Sequence, residues 1–318
     1  MTLPALCSSR LSALQKVVNP TTFIKPYKLA KELGLELFIA SESFQKTGSF
    51  KFRAAYNLAA NISNELIITA SSGNFGQALA CACAILKKGC IVVMPDNSAR
   101  VKVDATRYWG AQVDLLDTRL KSRAERVAEL AAENPEAYLA SAYDDELVIE
   151  GNSSLGIEIG NAGLDLDALI VPVGGGGLCS GIILGLKNSK SPNLDVFAAE
   201  PAIANDASLS LSAGRIVSFE QEAQSIADGA RTLSLGKRNF EILKNSLAGL
   251  LEVPEESIKN ALRRYFLEAN LKVEPTGALS LAALLSHPEK FEAKKLLCVV
   301  SGANVDPQLF AELLVGFS

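Results

Sequence analysis

The 318-residue sequence has one histidine, His287, and one tryptophan. His287 stands before a proline in the loop-like "LLSHPEKF", which leaves almost no material for a Ser-His-Asp triad or a histidine-built zinc centre. The six cysteines, Cys7, Cys81, Cys83, Cys90, Cys179 and Cys298, have no zinc-ligand spacing. Most lie in apolar runs such as "ALACACAIL" and "LLCVV", and they read as reduced, buried hydrophobes of a cytoplasmic protein. No run of about 18 apolar residues exists to span a bilayer. The N-terminal "MTLPALCSSRLSALQKVV" lacks the charged and apolar regions of a secretory signal. A net charge of -4 provides no basic field for nucleic acid or an anionic membrane. Neither a Gly-Lys-Ser/Thr phosphate loop nor any frame of the dinucleotide pattern G-x-G-x-x-G is present.

What is there is an ordinary globular composition, 48% hydrophobic and 21% charged, with a strong α/β rhythm. Apolar runs at 35–40, 65–70, 90–95, 111–116, 168–173, 194–200 and 296–302 alternate with helical segments such as "GQALACACAILKK", "SRAERVAELAAEN" and "ESIKNALRRYFLEAN". Several runs are apolar at consecutive positions, as strands buried on both faces of a parallel sheet require. The expectation is an α/β protein of two open, twisted, mostly parallel sheets flanked by helices. A larger unit is expected from 1–54 and 142–318, with a smaller one, 55–141, inserted in it.

Ligands of such sheets bind beyond the C-terminal strand ends, so the loops there carry the chemistry. After "ELIITA" come Ser71, Ser72, Gly73 and Asn74, opening a helix whose amides suit a carboxylate. The plain structural alternative is a helix cap. After "ALIVPV" come Gly174, Gly175, Gly176 and Gly177, then Leu178. Four glycines are entropically costly for a mere turn, but they let backbone amides close around a phosphate. After "LLCVV", Ser301 places a hydroxyl at the ligand edge. Glu200 and Asp206 bracket a turn whose carbonyls, with the two carboxylates, suit Mg²⁺ or Ca²⁺; two solvated acids are the alternative. In "QKTGSFKFRAAYNLA", Lys51 lies between Phe50 and Phe52 just after a Thr-Gly-Ser helix-start signal. Either Lys51 snorkels to water, or it is held in an apolar setting that frees its amine for chemistry.

A lysine among apolar groups, a glycine cradle, an asparagine and a strand-end hydroxyl suit pyridoxal phosphate. The ordered stretches "SFQKTGSFKFRAA", "SSGNFGQALA", "VPVGGGGLCSG", "AAEPAIAND", "SIADGA", "VEPTGA" and "VSGANVD" resemble the fold-type II pyridoxal-phosphate enzymes of tryptophan synthase β-like architecture. Within that family they are similar to the serine racemase and serine/threonine dehydratase branch over nearly the whole chain. The resemblance implies that Lys51 condenses with the cofactor aldehyde and moves the Cα proton, and that Phe50 packs on the ring. It implies that Asn74 meets the phenolic oxygen, Gly174 to Gly177 with Leu178 form the phosphate loop, Gly229 and Glu274 line the ring, and Ser301 meets the pyridine nitrogen. A neutral hydroxyl at that nitrogen makes the cofactor a milder electron sink, suited to elimination and racemisation. Ser71, Ser72, Gly73, Asn74 and Phe75 match the substrate loop. Glu200, Asp206 and the Ala204 carbonyl match a divalent-cation site.

Lys51 serves one face of the substrate, and racemisation needs an acid/base on the other. Ser72 matches the racemases' serine there; the alternative is that it only binds carboxylate. Departures from the branch are Phe75 for the usual histidine, Ala54 for a common glycine, Gly151-Asn152-Ser153-Ser154 for Gly-Gln-Gly-Thr, and Ser141-Ala142 for His-Pro. The expectation is a cytoplasmic homodimer that eliminates water and ammonia from L-serine or L-threonine, with racemisation as a second outcome. The rival in the same fold is a threonine-synthase-like or β-replacement enzyme, which requires a phosphorylated substrate or a nucleophilic acceptor. A non-catalytic α/β protein binding a phosphorylated ligand through the glycine loop is a rival of another class.

Overall fold

The computed structural model describes residues 4–71, 73–98, 100–292 and 294–316. Among them, ten strands form two sheets. The strands are β1 (Thr22–Ile24), β2 (Glu36–Ser41), β3 (Leu66–Ala70), β4 (Gly89–Pro95), β5 (Gln112–Leu116), β6 (Tyr138–Leu139), β7 (Ala168–Pro172), β8 (Asp195–Pro201), β9 (Gly249–Val253) and β10 (Lys295–Val300). The six-stranded sheet has the order β1-β2-β10-β7-β8-β9, and the four-stranded sheet β5-β4-β3-β6. Every pairing is parallel except β1 with β2. The seven apolar runs are all strands; Ala168 to Pro172 of β7 are buried throughout, as a strand covered on both faces must be. The three strands without a sequence signal are β6, of two residues, and β1 and β9, which lie at the edges of the large sheet. The smaller sheet falls wholly within 55–141.

One helix pair sets the position of the glycine loop. The helices Glu146–Asn161 and Gly177–Lys187 lie so close that a Cβ on Gly185 would sit 2.1 Å from the Ser153 carbonyl, and one on Gly156 2.3 Å from that of Ile182. Asn152, at the same contact, donates to the Gly177 carbonyl at 3.0 Å. The sequence "GNSSLG" therefore packs against the helix that the four glycines open.

A second device sets Lys51. The turn before it is zipped to the segment after β10: Phe50 N donates to the Ser301 carbonyl at 2.9 Å, and Ala303 N to the Gly48 carbonyl at 2.9 Å. Gly48, at φ +69°, leaves room for the Asn304 side chain, which a Cβ would strike at 2.4 Å. The helix Lys51–Asn61 begins where the sequence signal predicts, but the hydroxyls do not cap it. Thr47 Oγ1 and Ser49 Oγ are buried without partners among the described residues, because backbone pairing with 301–303 fixes the turn instead. Two residues on, Arg53 is fully buried and pairs with Glu42 at 2.7 Å and Glu158 at 2.6 Å. Thr21 and Ser154 complete its hydrogen bonds, so this costly buried cation is satisfied.

Candidate active site

The strand ends of both sheets face one cleft. Its deep part is a cavity of about 290 Å³ lined by Phe50, Lys51, Ser71, Gly73, Asn74, Phe75, Gly229, Glu274 and Ser301 among others. Lys51 Nζ donates to the Ala142 carbonyl at 2.8 Å and lies 5.0 Å from the Phe50 ring centroid and 5.7 Å from that of Phe75. The snorkelling alternative is therefore not what the structure shows. Burial pulls the Lys51 ammonium down to about 8, against the opposing charge of Glu274.

A smaller adjoining cavity of about 50 Å³ is lined by Lys51, Gly174, Gly175, Gly176, Gly177, Leu178, Gly229, Thr232 and Ser301. Gly176 takes φ +92°, and a Cβ on Gly175 would stand 2.4 Å from the Tyr143 ring. The loop is held from behind by Asn239, whose amide donates to the Gly175 carbonyl at 2.8 Å and the Tyr143 carbonyl at 2.9 Å. Ser301 Oγ and Thr232 Oγ1 are buried without a partner among the described residues, and both residues line this cavity. Orphaned hydroxyls are costly unless a ligand satisfies them.

Asn74 opens the helix Asn74–Leu86, but its side chain turns inward. Its amide donates to Glu274 Oε1 at 2.8 Å and its oxygen accepts from Asn304 at 2.8 Å. Gly73 stands at the N-cap position, and the Gly76 amide is satisfied by Ser71, whose hydroxyl accepts from it at 3.1 Å. Glu274 is fully enclosed, and burial, with the Asp228 charge next, pushes its carboxyl up to about 8. Its Oε2 has no partner among the described residues. Ser72 lies outside the described residues.

The two acids on the other strand end are not solvated. Glu200 closes β8 and Asp206 starts the helix Asp206–Ala213; each is 1% exposed, as is Ala204 between them. Burial pushes the Glu200 carboxyl up to about 9 and that of Asp206 to about 7. Glu200 accepts from Ser208 N at 2.7 Å, whereas neither oxygen of Asp206 has a partner among the described residues. Such a pair suits a hard cation completed by carbonyl and water oxygens. Among the described residues no group of three or more His, Cys, Asp or Glu side chains converges as a metal cluster.

An amine of lowered pKa, a glycine cradle and an orphaned hydroxyl around one small cavity fit a phosphorylated aromatic aldehyde. Residues 14–302 match the family model described as "Pyridoxal-phosphate dependent enzyme". The chain belongs to the pyridoxal-phosphate dependent enzymes. It is 35% identical to a serine racemase of Schizosaccharomyces pombe, over 96% of this chain and 95% of that one. It is 34% identical to an L-threo-3-hydroxyaspartate ammonia-lyase of a Pseudomonas species, over 95% of each. The solved processed form of threonine deaminase isoform 2 from Solanum lycopersicum superposes with a TM-score of 0.89 at 29% identity, covering 97% of this chain and 92% of that one. The two-sheet architecture is the fold-type II one. This pyridoxal-phosphate dependent enzyme has no described helix long and apolar enough to cross a membrane.

Ala142, noted in the sequence only as a departure, holds Lys51, and two site residues that were not singled out there, Thr276 and Asn304, hold Gly229 and Asn74. Thr276 and Asn304 sit inside the family-like stretches "VEPTGA" and "VSGANVD", which was the available signal. Arg123 and Arg231 line the cavity wall without any such signal. Cys7 departs from the expected burial and is half-exposed, while the other five cysteines are buried and all six are free.

Proposed function

We propose that this enzyme eliminates water and ammonia from small β-hydroxy amino acids, L-serine and L-threonine, releasing a 2-oxo acid. The observation that carries the reading is that Lys51, Gly174 to Gly177 and Ser301 line one cavity. Pyridoxal phosphate bound there supplies an electron sink for the bonds around the substrate Cα. The residues that would hold it are Lys51 through its amine, Gly174 to Gly177 and Leu178 through the loop, Asn74, Gly229 and Glu274 along the cavity wall, and Ser301 through its orphaned hydroxyl. Phe50 and Phe75 keep the Lys51 amine out of bulk water, so that it takes the Cα proton as a base. The loop of Ser71, Ser72, Gly73 and Asn74 at the start of the helix Asn74–Leu86 suits the substrate carboxylate.

The curated relatives carry the names of racemases as well as ammonia-lyases, and the reading includes racemisation with Ser72 as the acid/base opposite Lys51. Ser72→Ala then removes D-serine formation while keto-acid release continues. Glu200, Asp206 and the Ala204 carbonyl would hold Mg²⁺ or Ca²⁺, and the unpartnered Asp206 carboxylate supports that assignment. We extend the reading to two units, 1–54 with 142–318 and 55–141, and to a cytoplasmic homodimer; gel filtration with light scattering tests the dimer. The deciding assay follows keto acid, D-amino acid and the visible spectrum together, with serine and threonine as substrates. Keto acid from either supports the lyase reading, and its absence from both, in a yellow protein, supports β-replacement instead.

A further inference from the structure

Thr47, Asn304, Asn74 and Glu274 form a chain of hydrogen bonds that joins the turn before Lys51 to the wall of the deep cavity. Asn304 Nδ2 donates to the Thr47 carbonyl at 2.7 Å and to Asn74 Oδ1 at 2.8 Å, and Asn74 Nδ2 donates to Glu274 Oε1 at 2.8 Å. The two ends of a side-chain amide have nearly the same shape, so its partners decide which end faces which way. Only one member of this chain has no choice. The Thr47 carbonyl is a backbone acceptor, so Asn304 must turn its NH2 group to it. The same NH2 group reaches Asn74, which must answer with its oxygen and turn its own NH2 group towards Glu274 and the cavity that both residues line.

Glu274 does not impose this direction by itself. Burial, with the Asp228 charge next, pushes its carboxyl up to about 8, so at neutral pH it carries a proton and can donate as well as accept. Asn304, in contrast, is held at both ends. Its Oδ1 lies where a Cβ on Gly48 would come within 2.4 Å, and Gln77 Oε1, another acceptor, stands 3.5 Å from its Nδ2. Both N–H bonds of Asn304 are spent on Thr47 and Asn74. Asn74 spends one on Glu274 and keeps the second for the cavity.

We propose that Asn304 is a positioning residue that fixes the polarity of Asn74, so that the cavity presents an N–H donor rather than a carbonyl to the phenolic oxygen of pyridoxal phosphate. The inference rests on the reading that places that oxygen at Asn74, and it adds the residue that gives Asn74 its direction. Asn304 is absent from the described lining of the deep cavity and acts through Asn74.

Full-length apoprotein at neutral pH is titrated with pyridoxal phosphate and with 3-deoxypyridoxal phosphate, in which hydrogen replaces the phenolic hydroxyl. The ratio of the two affinities, taken relative to the wild type, isolates the contact at that oxygen. Asn304→Asp offers Asn74 only acceptors, so Asn74 turns its NH2 group away from the cavity and its carbonyl into it. The ratio should fall about tenfold or more, and the visible band of the bound cofactor, which reports the protonation of its phenolic oxygen, should shift. Asn304→Ala leaves Asn74 free to take either of two directions, and the ratio should fall only about twofold. Should Asn304→Asp fail to fold, Asn304→Ala still decides, because a ratio equal to that of the wild type overturns the inference. An equal fall in the two variants also overturns it, as does a parallel loss of affinity for both ligands with the ratio unmoved, which makes Asn304 a packing residue. Keto-acid release from serine and threonine is followed with the same preparations. Ratios that move as expected in a protein yielding no keto acid support the inference and overturn the elimination reading. Unmoved ratios in a protein that does yield keto acid overturn the inference and leave that reading standing.

Discussion

The amine of Lys51 is tethered to the carbonyl oxygen of Ala142 by a 2.8 Å hydrogen bond. Lys51 starts the helix that leads into the smaller sheet, and Ala142 lies where the chain has just left it, so the nucleophile sits between the two crossings. The bond is one that a lysine nitrogen makes and an alanine cannot. Lys51→Ala and Lys51→Arg are both expected to fold, since Arg keeps the charge and Ala fills no new space. Both should lose turnover by at least about a thousandfold, because neither offers a free primary amine to act as nucleophile and base. Borohydride reduction followed by peptide mass analysis checks the point: a pyridoxyl adduct on the Lys51 peptide of the wild type, and none on the variants.

The acidity of the same amine gives a pH dependence. Burial brings Lys51 down to about 8, so below that pH the ammonium dominates and above it the free amine. Uptake of pyridoxal phosphate by the apoprotein should therefore accelerate as pH rises and level off above about 8. Because the Glu274 charge acts in the opposite sense to burial, Glu274→Gln should move the midpoint lower. The linkage sign for stability follows from the same shift. Between about 8 and the ordinary lysine value the unfolded chain holds more protons than the folded one, so this residue's contribution to stability increases with pH across that window. Stopped-flow absorbance over pH 6.5 to about 9.5 measures the uptake midpoint in both proteins.

Much of this arrangement is legible in the sequence, and the illegible part has a physical cause. Parallel strands such as β7 and β10 announce themselves because both faces are buried and every position is apolar, apart from Lys295 at the start of β10. Edge strands β1 and β9 are shielded on fewer sides, so their residues need not be apolar, and β6 is only two residues long. Asn74 and Ser301 were visible because each stands at a helix start or strand end beside a glycine, Lys51 because it follows the Thr-Gly-Ser helix-start signal between two phenylalanines, and Glu274 only through the family-like stretch "VEPTGA". Asn304 was not singled out, since its role depends on a close approach between segments 230 residues apart in sequence, as its bond to Asn74 shows. The Thr47 and Ser49 hydroxyls misled for the same reason: a local cap signal was overridden by backbone pairing with the far end of the chain. Arg231 has no motif at all, and only the folded structure shows that it stands on the cavity wall.

The glycine loop makes a prediction that separates cradle from hinge. A methyl group at position 175 would meet the core of the Tyr143 ring at 2.4 Å, where no flexible chain end can move aside. Gly175→Ala should force the loop or the tyrosine away and cost about 1–3 kcal/mol of stability. If the loop cradles the phosphate, the same variant should weaken cofactor binding by much more than it weakens substrate binding. Fluorescence titration of apoprotein with pyridoxal phosphate, beside thermal melts, makes the comparison. A destabilised variant with unchanged cofactor affinity would remove the loop from the phosphate site.

The buried acids Glu200 and Asp206 lead to a prediction of the opposite sign for one substitution. Two carboxyls at 1% exposure, one of them without a partner among the described residues, lower stability unless protons or a cation compensate them. Saturating Mg²⁺ or Ca²⁺ should raise the melting temperature, since an ion that binds only the folded state at a hundred times its dissociation constant contributes about 2.7 kcal/mol. Chelation should reverse the gain. Asp206→Asn removes a charge that otherwise needs a proton or a cation, so in chelator the variant should melt at or above the wild type, and added cation should no longer raise it. Differential scanning calorimetry of both proteins, with and without Mg²⁺, Ca²⁺ and chelator, reads all four states. A wild-type melting temperature indifferent to both cations would mean that the pair is kept neutral by protonation and holds no ion.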